Sequence, residues 1–159
     1  MNTNKRDILN PIDEALANLA IKDIFLKSMK CENFKFDIEL YPNSYYKVLL
    51  KHKVVRSSIL ESTDHKQHLL RVLLSYGVKW VSKEDPQDEL AVIEAEYVAE
   101  YKLKQKISDM AIDEFCLKNV GHNVWPYWRE FVATTSQRLN LPNLTLPLQK
   151  PVKKNSDKK

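Results

Sequence analysis

From residue 90 to residue 104 the chain alternates. Ala91, Ile93, Ala95, Tyr97, Ala99, Tyr101 and Leu103 fall on one side, while Glu94, Glu96, Glu100, Lys102 and Lys104 dominate the other. A helix cannot gather residues two apart on one face, so this period demands a strand with one face in a core and one in water. Residues 68–81 repeat it with Leu70, Val72, Leu74, Tyr76, Val78 and Trp80. Two more extended segments come first, at 20–40 and 46–55. The earlier one alternates most cleanly in its second half, Phe34, Phe36, Ile38 and Leu40 against Lys35, Asp37 and Glu39. A YPNS turn (41–44), a polar stretch (57–67) and a charged loop with Pro86 (82–89) separate the four. Half-polar strands joined by short links predict an antiparallel sheet with one solvated face.

Past residue 106 the period changes to that of a helix. Residues 107–118 carry Ile107, Met110, Ala111, Ile112, Phe115, Cys116 and Leu117, with Ser108 as a cap. These cover more than one side, so the helix needs two surfaces to bury against: the sheet and a second copy of the chain. Gly121 lets the chain turn, Asn123 starts the next helix, and Pro126 then lies in its first turn, where proline is tolerated. Trp128, Phe131, Val132, Thr135 and Leu139 form the stripe of that helix, and Leu141-Pro142 stops it. Leu144, Leu146 and Leu148 alternate beyond it in extended chain. A short helix over 10–19 opens the chain, with Asn10 as cap, Pro11 at the first position, and Ile12, Leu16 and Leu19 as its apolar stripe. The expected fold is α+β: a four-stranded antiparallel sheet with two C-terminal helices packed on one face.

Composition narrows the chemistry. Only two glycines occur, Gly77 and Gly121, so no glycine-rich phosphate loop can be written. His65 and His68 lie three apart with no cysteine pair near them, and no metal site is expected. Nothing resembles a nucleophile elbow, Cys116 reads as a buried thiol, and neither enzymatic activity nor a cofactor is expected. The net charge is +4, of which KKNSDKK (153–159), with four Lys and one Asp, supplies +3. Lys47, Lys51 and Lys53 cluster, but the apolar sheet face is needed for the helices, so nucleic acid is not the expected partner. The start MNTNKRDILNP has no apolar signal region, and no run nears the roughly 20 apolar residues that cross a bilayer, so a cytoplasmic location is expected.

One stretch exceeds what a core requires. In 124–147, VWPYWREFVATTSQRLNLPNLTLP, the side chains of Trp125, Tyr127, Trp128 and Phe131 cannot all point one way on a helix. Trp128 and Phe131 can face the sheet. Trp125 and Tyr127 are then left at the helix entrance, beside the Leu144/Leu146 ladder, as a contact surface.

This block, GHNVWPYWREFVATTSQRLNLPNLTLP (121–147), resembles the SecB family of chaperones: Trp125-Pro126-Tyr127, Arg129-Glu130, then Leu141-Pro142-Asn143-Leu144-Thr145-Leu146. The likeness covers roughly residues 20–148, with 1–19 an N-terminal extension and 149–159 a basic disordered tail. It implies a homotetramer built as a dimer of dimers. It also implies ATP-independent holding of unfolded polypeptide in a hydrophobic groove. The groove residues it implies are Val124, Trp125, Tyr127, Trp128, Phe131, Leu144 and Leu146, with Ile93, Tyr97 and Tyr101 beneath. General-export members are acidic and engage the SecA motor, whereas this chain is basic. That difference favours the branch serving toxin–antitoxin modules, with an antitoxin as client. Delivery of precursors to SecA is the alternative.

Overall fold

The computed structural model describes residues 10–149, and in it four antiparallel strands form one sheet in the order β1-β4-β3-β2. β1 is Leu19–Asn33, β2 Tyr46–Glu61, β3 His68–Ser82 and β4 Glu89–Leu103. Helix α1 (Pro11–Asn18) precedes the sheet; α2 (Asp109–Phe115) and α3 (Gly121–Arg138) follow it. Residues 1–9 of the extension and all of the basic tail but Gln149 lie outside the described residues.

The two clearest alternations make the two central strands. Leu70, Val72, Leu74, Tyr76, Val78 and Trp80 of β3 are all buried, as are Ala91, Ile93, Ala95, Tyr97, Ala99 and Tyr101 of β4. Cross-strand partners share a face. Tyr76 opposite Ala95 and Leu74 opposite Tyr97 therefore put both rows under the helices.

The outer strands depart from expectation. β1 ends at Asn33, so the alternating 34–40 is not strand. There the Asn33 side chain accepts from the Phe36 N–H (2.8 Å) and donates to the carbonyls of Phe36 and Leu139 (both 3.0 Å). The N–H groups of Phe34 and Lys35 both turn to the Leu90 carbonyl, which carries the chain across the end of the sheet towards β2. Phe36 alone of the four alternating residues is buried, between Tyr41 and Tyr46. β2, conversely, runs through the polar stretch to Glu61, because β3 offers it a ladder all the way to His68. A bulge between Val54 and Arg56 shifts its alternation, so Ser57 and Ile59 take over the face held by Leu50 and Val54.

The helices differ too. Gly121 is helical (φ −58°, ψ −40°), and the backbone stays helical from Asp109 to Arg138 through a π turn at Cys116–Val120. The expected break is absent, and Pro126 lies inside α3, where it leaves the His122 carbonyl without its usual donor. Packing overrides these local signals. Ala111, Phe115, Val120, Val124, Trp128, Val132 and Ser136 are buried in steps of four, with one step of five at the π turn. α3 ends as its sequence allows: Asn140 takes a left-handed conformation (φ 54°) while the Leu141 and Asn140 N–H groups close on Ser136 and Gln137. In α1 the Asn10 cap is present, but Ala15 goes inward and Leu16 stays exposed. The Glu14 carboxylate accepts from both the N–H and the hydroxyl of Ser108, pinning α1 to the start of α2.

On the solvated face Glu100 is buried beneath two exposed cations, hydrogen-bonded to Arg71 (2.7 Å) and Lys22 (3.0 Å). Burial pushes its carboxyl up, but the bonds from Arg71 and Lys22 outweigh it and hold the group below its ordinary value of 4.5. That stabilisation is fully present above pH 4.5 and is lost as pH falls through the depressed folded value. Glu100→Gln is expected to cost about 1 kcal/mol in urea unfolding at pH 7. The gap to wild type should close on acidification below pH 4.5. A Cβ at Gly121 would meet nothing within 4 Å. Gly121→Ala should therefore raise stability by about 0.5–1 kcal/mol, whereas a glycine needed for a turn would make the same change destabilising.

Candidate functional site

α3 lies on the sheet through a cluster of rings centred on Tyr76. Trp128 stacks on it (5.3 Å between centroids, 25°), and Tyr97 meets it edge-on at 6.1 Å. Trp125 lies tilted at 6.3 Å, and His52 of β2 stacks at 5.8 Å. Phe131, one turn on, stacks on Trp128 at 6.1 Å. Burial pushes the Tyr76 hydroxyl well above its ordinary range and those of Tyr97 and Tyr101 up to about 12. These phenols are structural donors and acceptors: Tyr97 reaches the Tyr127 carbonyl at 3.4 Å, and Tyr101 accepts from Asn123 at 2.9 Å. Burial likewise pushes the Cys116 thiol up to about 11, which leaves it unreactive. Among the described residues no group of His, Cys, Asp or Glu is placed to hold a metal ion, and no helix is long and apolar enough to cross a membrane.

Residues 141–149 return along one flank of α3 as an extended strap. The Trp125 indole donates to the Pro147 carbonyl (2.8 Å), and Arg129, one turn on, donates to the Leu146 carbonyl (2.6 Å). Leu141 and Leu146 are buried and Leu144 half-buried. The strap ends at a shallow hollow lined by Gln149, Trp125 and Trp128 together with Leu50 and His52 of β2, so its flank is the β2 side. Tyr127 is two residues from Trp125, about 200° round the helix, and so stands on the other flank, towards β1, with Phe131 one turn beyond. The structure therefore separates residues that the sequence places together. Trp125 lies beside the leucine ladder, while Tyr127, 49% exposed, faces the opposite way. Val124, Trp128, Leu146, Ile93, Tyr97 and Tyr101 form the buried floor; Trp125, Phe131 and Leu144 are half-buried walls.

Apolar side chains stay open on both sides of this assembly. Ile21, Leu26 and Met29 of β1 pair with Tyr101, Tyr97 and Ala95, so they point to the helix face, yet Met29 is 63% exposed and Ile21 56%. On β2, Leu50 and Ile59 share the face of Val78 and Leu70, and Leu50 is 58% exposed. Sequence reasoning passes over these five. Bulges at Ile21/Asp23 and Leu26/Ser28 space the helix-facing residues of β1 at Ile21, Ile24, Leu26, Met29 and Cys31, steps of three and two that no simple alternation reveals. Arg129, which holds the strap, is visible in sequence only as part of the 121–147 block, and its role there is missed; its spacing of four from Trp125 places the two donors on one flank.

No protein-family model matches the sequence, and no curated protein matches it by sequence. Structural comparison is more informative. The SecB-like chaperone Rv1957 of Mycobacterium tuberculosis, in complex with a ChAD peptide from the antitoxin HigA1, superimposes with a TM-score of 0.71 at 17% identity, covering 89% of this chain and 99% of that one. The chain has the SecB-like fold. A protein of unknown function from Streptococcus agalactiae aligns over 81% of this chain and 96% of its own at 11% identity, but its TM-score of 0.45 supports no inference. The SecB-like resemblance carried by 121–147 thus agrees with the fold of the whole described chain.

The split between floor and wall predicts two different mutational outcomes. Trp128→Ala empties the stacked centre and should cost about 3–5 kcal/mol in chemical denaturation. Tyr127→Ala, on the open flank, should change stability by no more than about 0.5 kcal/mol.

Proposed function

We propose that this chain is an ATP-independent holding chaperone that binds unfolded or aggregation-prone polypeptide, with the antitoxin of a toxin–antitoxin module as its client. The observation that carries the reading is the pair of apolar rows left open beside α3 on a SecB-like fold. Water-exposed apolar rows in a grooved surface bind the side chains that an unfolded chain also exposes, at about 25 cal/mol per Å² buried and with no strict sequence requirement. Holding consumes nothing, so no nucleotide and no catalytic residue is required. The structural neighbour is itself bound to an antitoxin peptide, which supports the choice of client.

The proposed groove has the buried rings as its floor. Its walls are Tyr127 and Phe131 with Leu26 and Met29 on one flank, and Trp125, Leu144 and Leu50 on the other. Met110 and Leu117, exposed on the far side of α2 and the π turn, supply apolar surface for copies of the chain to meet in a homotetramer. The setting proposed is the cytoplasm, where an antitoxin meets its chaperone.

The direct test is suppression of aggregation of a chemically unfolded, uncharged client. Tyr127→Ala combined with Met29→Ser should raise the chaperone concentration needed for half-suppression roughly fivefold, the equivalent of about 1 kcal/mol, while the fold stays intact. Unchanged suppression would remove the groove. Capture from native cells should return an antitoxin; recovery of SecA and many precursors without one would overturn the choice of client.

A further inference from the structure

The charges on the solvated sheet face are sorted by strand. Three of the four acids of β4 are answered from the neighbouring strands, Glu100 by Lys22 and Arg71, Glu96 by Lys27 and Glu89 by Lys79, while Glu94 lies over Gly77 on the Lys51 side without an ion pair among the described residues. β2 is different. Lys47, Lys51, Lys53 and Arg56 pair with Val81, Gly77, Ser75 and Leu73, which places all four on the solvated face. All are exposed, and among the described residues none has a carboxylate within 4 Å. The opposite face of the same strand carries the open Leu50 and Ile59. β2 is an edge strand, and among the described residues no strand pairs with its outer side. Its backbone therefore offers an unpaired row of N–H and C=O groups, with the cations on one face, interrupted by Leu49, and the open Leu50 and Ile59 on the other.

We propose that β2 is a docking edge for an extended client segment in which acidic and apolar residues alternate, added as a fifth strand. The inference rests on the chaperone reading above and specifies what one part of the client looks like. Strand addition supplies sequence-blind hydrogen bonds, and the alternation supplies selection. Side chains two apart on the incoming strand are separated by roughly 6.7 Å, as they are on β2, so acidic residues reach Lys51 and Lys53 in register while apolar ones reach Leu50. A second copy of this chain fits poorly there, because antiparallel β2–β2 pairing sets the cations of one copy against those of the other. Single-stranded nucleic acid would meet cations at a suitable pitch but no aromatic ring among them, since the solvated face of β2 and β3 carries none.

The test uses fluorescence anisotropy with the full chain and labelled peptides of about twelve residues, roughly 40 Å when extended. One peptide alternates Glu with Val, one alternates Lys with Val, and one is the acidic peptide N-methylated at every second residue. The acidic peptide should bind at least about tenfold more tightly than the basic one. K51E/K53E should erase that preference, K51R/K53R should keep it, and N-methylation on the edge-facing positions should weaken binding. Equal affinity for acidic and basic peptides would overturn the proposal. So would indifference to N-methylation, or tighter binding of an oligothymidine of equal length. K51E/K53E should still suppress aggregation of the uncharged client. If it does while the peptide preference is absent in wild type, the docking edge fails and the groove stands. If wild type holds no client at all, the chaperone reading itself fails.

Discussion

The structure is governed by a mismatch of widths. A helix with its side chains is about 10 Å across, while strands lie about 4.8 Å apart, so one helix covers two strands of four. α3 sits over β3 and β4, and those strands are buried almost completely on their helix face. β1 and β2 project beyond the cover on either side. Their apolar rows are exposed because no second helix among the described residues lies beside α3. Open hydrophobic surface is thus a direct result of the architecture, and it does not depend on any one residue being out of place.

The strap shows how an extended chain sits on this surface. Its leucines enter between α3 and the sheet, and two of its carbonyls are taken by side chains from α3, Trp125 and Arg129. These donors recognise backbone and not side-chain identity. Only Leu141 and Leu146 are fully buried, while Leu148 is almost free. Shallow apolar anchoring combined with backbone capture is the chemistry a chaperone needs for unrelated sequences. Here the chain's own C-terminal segment provides an example of it.

How much of this was legible from sequence followed strand position. β3 and β4 are central, and their helix-facing rows, Leu70 to Trp80 and Ala91 to Tyr101, run in unbroken alternation and are all buried, although Leu73, Val92 and Val98 on the other face are buried as well. β1 and β2 are edges with bulges, and their pattern resets part-way. Asn33 closes a turn in a stretch whose alternation looks as good as any in the chain. Gly121 and Pro126 are strong local signals of interruption, yet the buried stripe from Ala111 to Ser136 keeps the helix going. The aromatic excess around Trp125 and Tyr127 was visible, and so was the resemblance of that block. Their division between two flanks was not, because it depends on which side the strap returns. The exposed Met29 and Leu50 could not be read at all, since their exposure depends on strand order and on the width of the cover.

The Asn33 amide has one further consequence. It bonds at once to the connection leaving β1, through Phe36, and to the residue that ends α3, through Leu139. The strap begins two residues beyond that carbonyl. The rim of the sheet and the root of the strap are therefore hinged on a single side chain. The loop that links the two edge strands and the root of the strap thus share one amide as a common tie, at the end of a sheet three strand spacings wide.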